Sequence, residues 1–346
     1  METFRNDRLD NKKITILDIA EALNVSKTTV SRAISGKGRI SEETRQKVLA
    51  YIQEKDYKPN VIAKGLAQQK TYNIALVIPV DCNLVDMPFF QNSMQGICEE
   101  AAKKDYDVML APIKDMDYSN LERMISNHKV DGVILSRSLI KDPVAEFLKE
   151  RQIPFVLMGT SKDEEILQVD NNHKDGCCEL VKKILEKESF RIGLIGGNRN
   201  LVVNRARLQG YEEAFAQEKQ KIEETLIYHD CKTFEQMEAA TKEILKKGAD
   251  CIICMDDMIC SQVLKILEKE QIKVPEQMKV ASFYDSTLLR YYEPTVTSLL
   301  FDDKALGALT CQILISYIQG NEVPKRSLLG YEVAFRESTG RIKEIV

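Results

Sequence analysis

Two kinds of hydrophobic periodicity divide the chain. Through residues 15–57 apolar positions recur at helical spacing: Ile19, Ala20 and Leu23, then Val30, Ala33 and Ile34, then Val48, Leu49 and Ile52. Polar punctuation separates the three groups. Thr15, with Asp18 three residues on, predicts a capping box. Ser26 is placed to cap a helix over Lys27–Ser35, which Gly36 and Gly38 end. Ser41 starts a third helix, with Glu42 and Glu43 on its first-turn dipole, and Tyr57 follows before Pro59. Two helices joined by the short turn at Asn24-Val25, with a third bracing them, make a helix-turn-helix plan.

From Tyr72 onward the pattern changes to strand-sized apolar runs alternating with helical stretches. Ile74–Ile78, Asp107–Ala111, Val130–Leu135 and Phe155–Met158 form a first series. Ile192–Ile195, Thr225–Tyr228, Cys251–Cys254 and Lys279–Phe283 form a second. Such alternation predicts α/β architecture with largely parallel sheets covered on both faces. Two successive series predict two similar lobes. The expected fold class is therefore multidomain, a small all-α helix-turn-helix headpiece plus a two-lobed α/β body.

Charge sharpens this division. The 346 residues carry a formal net charge of -4, but residues 1–70 hold 14 Lys+Arg against 9 Asp+Glu and the remainder 35 against 44. A basic head on an acidic body is the asymmetry of a nucleic-acid-binding module attached to another function. No apolar run approaches the ~20 residues that span a bilayer. The polar start, Met1 to Lys13, has no secretory core, which predicts a cytoplasmic protein without membrane association. Nine cysteines without a regular framework predict reduced thiols. Cys251 and Cys254 form a CxxC, but on a strand they point to opposite faces, so packing is the expected role, with no metal.

The second predicted helix also carries chemistry. With Val30, Ala33 and Ile34 turned inward, Thr28 and Arg32 project outward, Ser31 and Ser35 flank them, and Lys27 reaches from the helix start. Such a helix can lie in the major groove of double-stranded DNA. Arg can read guanine bidentately, and Thr can contact bases or a thymine methyl. Ser26 and Ser31 suit phosphate.

In the body, ligands of open α/β sheets bind beyond the carboxyl ends of the strands. The polar and aromatic residues there are Phe89 and Phe90, Ser136 and Arg137, Asp256 and Asp257, and Tyr284 and Asp285, with Arg207 opening the helix after Gly196-Gly197. Arg and carboxylates make bidentate hydrogen bonds to paired hydroxyls while aromatic faces cover a ring, so a sugar is the expected small molecule. Helix capping by Asp256-Asp257 and a structural ion pair for Arg207 are the alternative readings. An enzyme is disfavoured: adjacent aspartates do not provide the ~5–9.5 Å separation of glycosidase carboxyls, and there is no Walker loop, HExxH or Ser-His-Asp pattern. No cofactor motif is present, since Gly193-Leu-Ile-Gly-Gly197 lacks the GxGxxG order.

Thr15-Ile-Leu-Asp-Ile-Ala-Glu-Ala-Leu-Asn-Val-Ser-Lys-Thr-Thr-Val-Ser-Arg32 resembles the headpiece of the LacI/GalR family of bacterial transcription regulators. Ser41-Glu-Glu-Thr-Arg45 and Tyr57-Lys-Pro-Asn60 continue the pattern, and the likeness runs more weakly to Arg336-Glu-Ser-Thr339. The resemblance implies an N-terminal extension over 1–14, a DNA-binding domain over 15–59 and a hinge over 60–71. It implies a periplasmic-binding-protein-like sensor over 72–346, its N-lobe 72–170 with 300–329 and its C-lobe 171–299 with 330–346. It also implies a homodimeric repressor of a near-palindromic operator, released by a small-molecule effector.

By the same resemblance, Thr15 and Asn60 join the DNA contacts, and Leu66 with Ala63 beside it forms a hinge wedge in the minor groove. Arg207 and Asp256 match the family's effector residues most closely. Phe89 and Phe90 match its aromatic pair, although Asn83 to Met87 is an apparent insertion. Two departures stand out. Gly159 replaces the usual Asp or Asn after the fourth strand, as in the maltose-type branch, which predicts room for a larger sugar. Tyr284-Asp285 replaces paired aspartates. The sequence also has no Trp to stack on a ring and no leucine heptad tail. Gating by a phosphoprotein co-repressor, as in the catabolite-control branch, stays open. A sugar-binding transport protein is opposed by the basic head.

Overall fold

The computed structural model describes residues 14–36, 38–57, 65, 70–80, 88–114, 117–186 and 191–340. These fall into two compact units, Met1–Thr71 and Tyr72–Val346.

The first unit holds α1 (Ile16–Ala22), α2 (Lys27–Ser35) and α3 (Glu42–Glu54). Each starts on a side-chain cap. Thr15 and Asp18 close a reciprocal capping box, Ser26 accepts from the Thr29 amide, and Ser41 accepts from the Thr44 amide. Each cap satisfies an amide the helix itself leaves unpaired, and its loss costs typically ~1 kcal/mol. The core is small: Ile19, Ala20, Val30, Ala33 and Val48 are buried, with Leu23, Ile34, Ile52 and Tyr57 packed around them. Leu49 corrects the predicted inner face of α3. It is 38% exposed, because at 100° per residue it stands a quarter-turn off the stripe shared by Val48 and Ile52.

Among its described residues the second unit contains two six-stranded sheets. The first comprises β1 (Asn73–Pro79), β2 (Asp107–Ile113), β3 (Gly132–Leu135), β4 (Phe155–Met158), β5 (Leu167–Asn171) and, far along the chain, β11 (Arg326–Leu329). Its order is β11-β5-β4-β3-β1-β2, all parallel. The second comprises β6 (Ile192–Ile195), β7 (Ile227–Tyr228), β8 (Cys251–Cys254), β9 (Lys279–Ser282), β10 (Thr297–Leu300) and β12 (Glu332–Ala334). It runs β12-β10-β9-β8-β6-β7, with β12 antiparallel to β10. The chain therefore passes between sheets after β5, after β10 and after β11.

Helices cover both faces of each sheet, so the inner strands β3, β4, β6 and β8 are continuous apolar runs. Ile97 of α4 (Pro88–Lys103) and Leu306 and Leu314 of α12 (Asp303–Ile318) share one core with Leu76 and Ile134. On the opposite face lie Leu121 and Met124 of α5 (Ser119–Ser126) with Val144 and Phe147 of α6 (Pro143–Glu150). The second sheet is sandwiched likewise. Val181 of α7 (His173–Leu185) and Tyr211 of α8 (Val202–Gln217) pack on one face. Met237 of α9 (Phe234–Lys246), Val263 of α10 (Asp257–Lys269) and Leu289 of the short α11 (Thr287–Arg290) pack on the other. Cys251 belongs to the α7–α8 core and Cys254 to the α9–α10 core. The two CxxC sulfurs thus sit on opposite faces of one strand.

Among the described residues a backbone link joins loops of the two sheets. After β3, Ile140 N–H donates to Asn200 O at 3.1 Å, and Val202 N–H donates to Ser138 O at 3.2 Å. These bonds form an isolated antiparallel bridge at Leu139 and Leu201. No described helix is long and apolar enough to cross a membrane.

Candidate functional site

On the head, α2 presents Lys27, Thr28, Ser31 and Arg32 exposed on one element, while Val30 and Ala33 face the core. Arg32 also leans on the turn beyond its helix. A Cβ at Gly38, where φ is +92°, would meet the Arg32 Cδ at 3.0 Å. Arg45 of α3, which the sequence did not single out, donates to the Gly36 carbonyl at 3.4 Å and braces the same left-handed turn. Thr15 and Ser26 are exposed, but each hydroxyl is already engaged in its helix cap. Asn60, Ala63 and Leu66, together with the insertion Asn83–Met87, lie outside the described residues.

In the body, several predicted residues converge where the chain crosses between sheets, joined by some the sequence reading passed over. Arg207, from the first turns of α8, is 7% exposed. Its Nη1 donates to the Met255 carbonyl at 2.7 Å, and its Nε has no partner. Its guanidinium lies 6.0 Å from the centre of the Tyr284 ring. The buried Tyr284 stacks on Phe301, with centroids 6.3 Å apart, and donates its hydroxyl to Asp303 at the start of α12. Asn171 Nδ2 donates to the other Asp303 oxygen at 3.5 Å. His173 packs its ring against Phe301 at 4.5 Å and places Nε2 3.6 Å from Asp170.

Electrostatics bind these groups together. Burial pushes the Asp170 carboxyl up to about 7, against an opposing pull from the Asn171 amide and Arg207. Asp257 and Asp303 rise to about 6, mainly from burial, with Arg207 again pulling the other way. Burial also raises Asp256, although its carboxylate accepts from the Ile259 amide at 2.8 Å and Arg207 favours its ionised form. Asp256 is therefore the N-cap of α10, and it also faces Arg207. His173 is held well below its ordinary value by burial and by Arg207, so it is neutral.

Other predicted residues do not join this cluster. Asp285 is held in a clasp by protein groups. Its Oδ1 accepts from Arg336 at 2.7 Å and Ser298 at 2.5 Å, and its Oδ2 accepts from Arg290 at 2.5 Å and Arg336 at 3.2 Å. Burial would raise its pKa, but these hydrogen bonds outweigh it and hold the carboxyl low. Both oxygens are spent on the protein. Phe90 is buried; Phe89 meets it edge-on at 5.2 Å, packs on the first lobe's core and stays partly exposed. Ser136 lies just beyond the end of β3, alongside β1, in a recess with Val77, Ile113, Arg137, Leu139 and Asp142. Its buried hydroxyl has no hydrogen-bond partner. Gly159 also departs from expectation. A Cβ there would lie 2.4 Å from Ser138 Oγ, so the predicted extra room is already filled.

A helix-turn-helix head combined with a two-sheet α/β body bearing a buried polar cluster where the chain crosses between sheets defines a regulator built from a DNA-reading module and a binding-protein-like module. Family models agree with both parts: bacterial regulatory proteins, lacI family, match residues 15–60, and the periplasmic binding protein-like domain matches residues 181–339. The HTH-type transcriptional regulator MalR of Streptococcus pneumoniae serotype 4 is 30% identical over 321 residues, spanning 88% of this chain and 98% of its own. Catabolite control protein A of Staphylococcus epidermidis is 26% identical over 331 residues, spanning 94% and 99%. A solved complex of the transcriptional regulator CelR with cellobiose superposes with a TM-score of 0.71 at 28% identity, covering 94% of this chain and 99% of that one. The chain belongs to the lacI family of bacterial regulatory proteins. It is accordingly a DNA-binding transcriptional regulator and not an enzyme.

Proposed function

We propose that the protein is a cytoplasmic repressor that binds a near-palindromic operator as a homodimer and releases it when a sugar occupies the pocket around Arg207. A single nine-residue α2 covers only a few base pairs, so two heads on a twofold axis would supply the length of a specific site. Thr28 and Arg32 would read base edges, and Lys27, reaching from the helix start, would meet phosphate. Thr15, Ser26, Ser31 and Asn60 would hold phosphates, and Leu66 with Ala63 would wedge the minor groove. In the body, Arg207 and Asp256 would bind hydroxyls, Tyr284 and Phe89 would present aromatic surface, and Ser136 would contribute from the first lobe.

The observation carrying this reading is Arg207, a buried cation with an unspent N–H, set where the two sheets exchange chain. A charged group so placed is expensive unless something binds it. A pocket of this kind also favours a small molecule over a protein partner as the gate. The CelR structure in complex with cellobiose supports a sugar as the class. Effector and operator are then reciprocally coupled, each favouring a different arrangement of the same dimer.

The test is a metabolite screen for release of the protein from a duplex selected out of a random pool, repeated with Arg207→Ala. The variant should bind the duplex as the parent does and ignore the effector. A variant that still releases normally would place the effector elsewhere.

A further inference from the structure

The Arg207 pocket is rich in acceptors and poor in donors. Asp170, Asp256, Asp257 and Asp303 all feel the guanidinium of Arg207, and only Asp170 feels a second cation, Arg326. No second cation enters the hydrogen-bond chain that runs through Tyr284, Asp303 and Asn171. Four side chains at least nine-tenths buried have unspent polar atoms here: Arg207 Nε, Asn171 Oδ1, His173 Nδ1 and, beside Asp257, Ser286 Oγ, a hydroxyl that can donate or accept. Of these only Arg207 Nε is a fixed donor. Tyr284, whose hydroxyl hydrogen is given to Asp303, cannot also donate to a ligand.

We propose that this pocket, taken as the effector site argued above, selects a polyhydroxy ligand without negative charge and rejects its phosphorylated and carboxylated forms. Hydroxyl groups donate to carboxylates and accept from Arg207, so a neutral sugar meets both halves of the pocket. A phosphate monoester brings about -1.5 to -2 charges and only acceptor oxygens at its new end. It would compete with four carboxyl groups for one guanidinium in a site that already resists ionisation. Like-charge juxtaposition in a buried interface costs enough to weaken binding by about a hundredfold or more. The preference is carried by Asp303 and Asp256 as well as by Arg207. Removing the acidic charge while keeping shape should therefore relax it.

The experiment uses the full-length protein and matched sets of compounds: mono- and disaccharides, their phosphate monoesters, their aldonic acids and their amino analogues. Binding is read by thermal shift and by release from the selected duplex. Supporting results are hits confined to neutral and amino members, with phosphate and acid counterparts about a hundredfold weaker. A narrower gap in Asp303→Asn, which keeps an acceptor for Tyr284, supports it further. A phosphate or acid that binds as tightly as its parent, and loses that binding in Arg207→Ala, overturns the selectivity and leaves the site standing. Hits that persist in Arg207→Ala, or no hit in any set by protein that still binds its duplex, overturn the site and the selectivity together.

Discussion

Leu139 and Leu201 form an isolated backbone bridge between loops of the two sheets, with Ile140 donating to Asn200 and Val202 donating to Ser138. Leu201 is extended at φ -76° and ψ 127°, and Val202 is the first residue of α8. A first-turn position tolerates proline, whose missing N–H is not used within the helix, and an extended residue suits the position before it.

Val202→Pro should therefore break the bridge and spare the helix. Losing one such hydrogen bond costs about 0.5–1.5 kcal/mol. Amide exchange should quicken at Ile140, while the interior of α8 keeps its protection. Unchanged exchange at Ile140 would mean that the bridge does not hold the loops together.

Gly159→Ala tests how tightly the first lobe is filled beside its pocket. The position has φ +121°, and the added Cβ would meet Ser138 Oγ. Backbone strain and the clash together should destabilise the body by about 1–3 kcal/mol in urea denaturation. Pairing it with Ser138→Gly should restore the steric part only. Full recovery in the double variant would show that backbone conformation costs nothing here.

Arg32→Ala on the head should weaken specific duplex binding by ~1–3 kcal/mol and relax one base preference. Lys27→Ala, if its partner is phosphate, should instead weaken all sequences alike and reduce the salt dependence. Binding selections from random duplexes at two salt concentrations separate the two. Unaltered selection by Arg32→Ala would remove that residue from the reading face.

The body should gain stability as pH falls from 8 towards 5. Asp170 titrates near 7, and Asp257 and Asp303 near 6, when folded, against ~3.9 for an unfolded aspartate. Across that window the three aspartates take up more protons folded than unfolded. His173 and His229, held low by burial, oppose them below about pH 6.5, but two groups against three leave stability rising with acidity. Asp285, held low by its arginines, acts in the opposite sense only near and below pH 4. Calorimetry across the range should show a rising midpoint, with a shallower rise in Asp303→Asn. A midpoint that falls from pH 8 to 6 would contradict it.

Local signals in the sequence located the head almost entirely. Thr15, Ser26 and Ser41 cap their helices because capping is decided within three residues, which a sequence displays directly. Cys251 and Cys254 were readable for the same reason, since strand alternation is a local rule. Legibility failed where partners are distant. The segments β5, β10, β11 and β12 were not predicted as strands; Leu167-Gln-Val-Asp-Asn171 is polar in composition yet buried throughout. Its burial comes from β4 and β11, not from its own side chains. Asp285 looked like a ligand residue because its clasp, Arg336, is 51 positions away. Asp170, His173 and Asp303 were passed over because the strands that carry or precede them, β5 and β10, were not recognised as strands. Extending the strand-end rule to Leu167–Asn171 and Thr297–Leu300 would have found them.

The interlaced course of the chain bears on how the regulator is made. β11 and β12, which edge the first and second sheets, are encoded within nine residues of each other near the far end of the sequence. Neither lobe is a contiguous stretch, and neither sheet can be completed on the ribosome until residues 326–334 have emerged. Domains tend to fold as units during synthesis. The head, complete by residue 57, can fold early, so newly made chains acquire their DNA-reading module well before the module that would govern it.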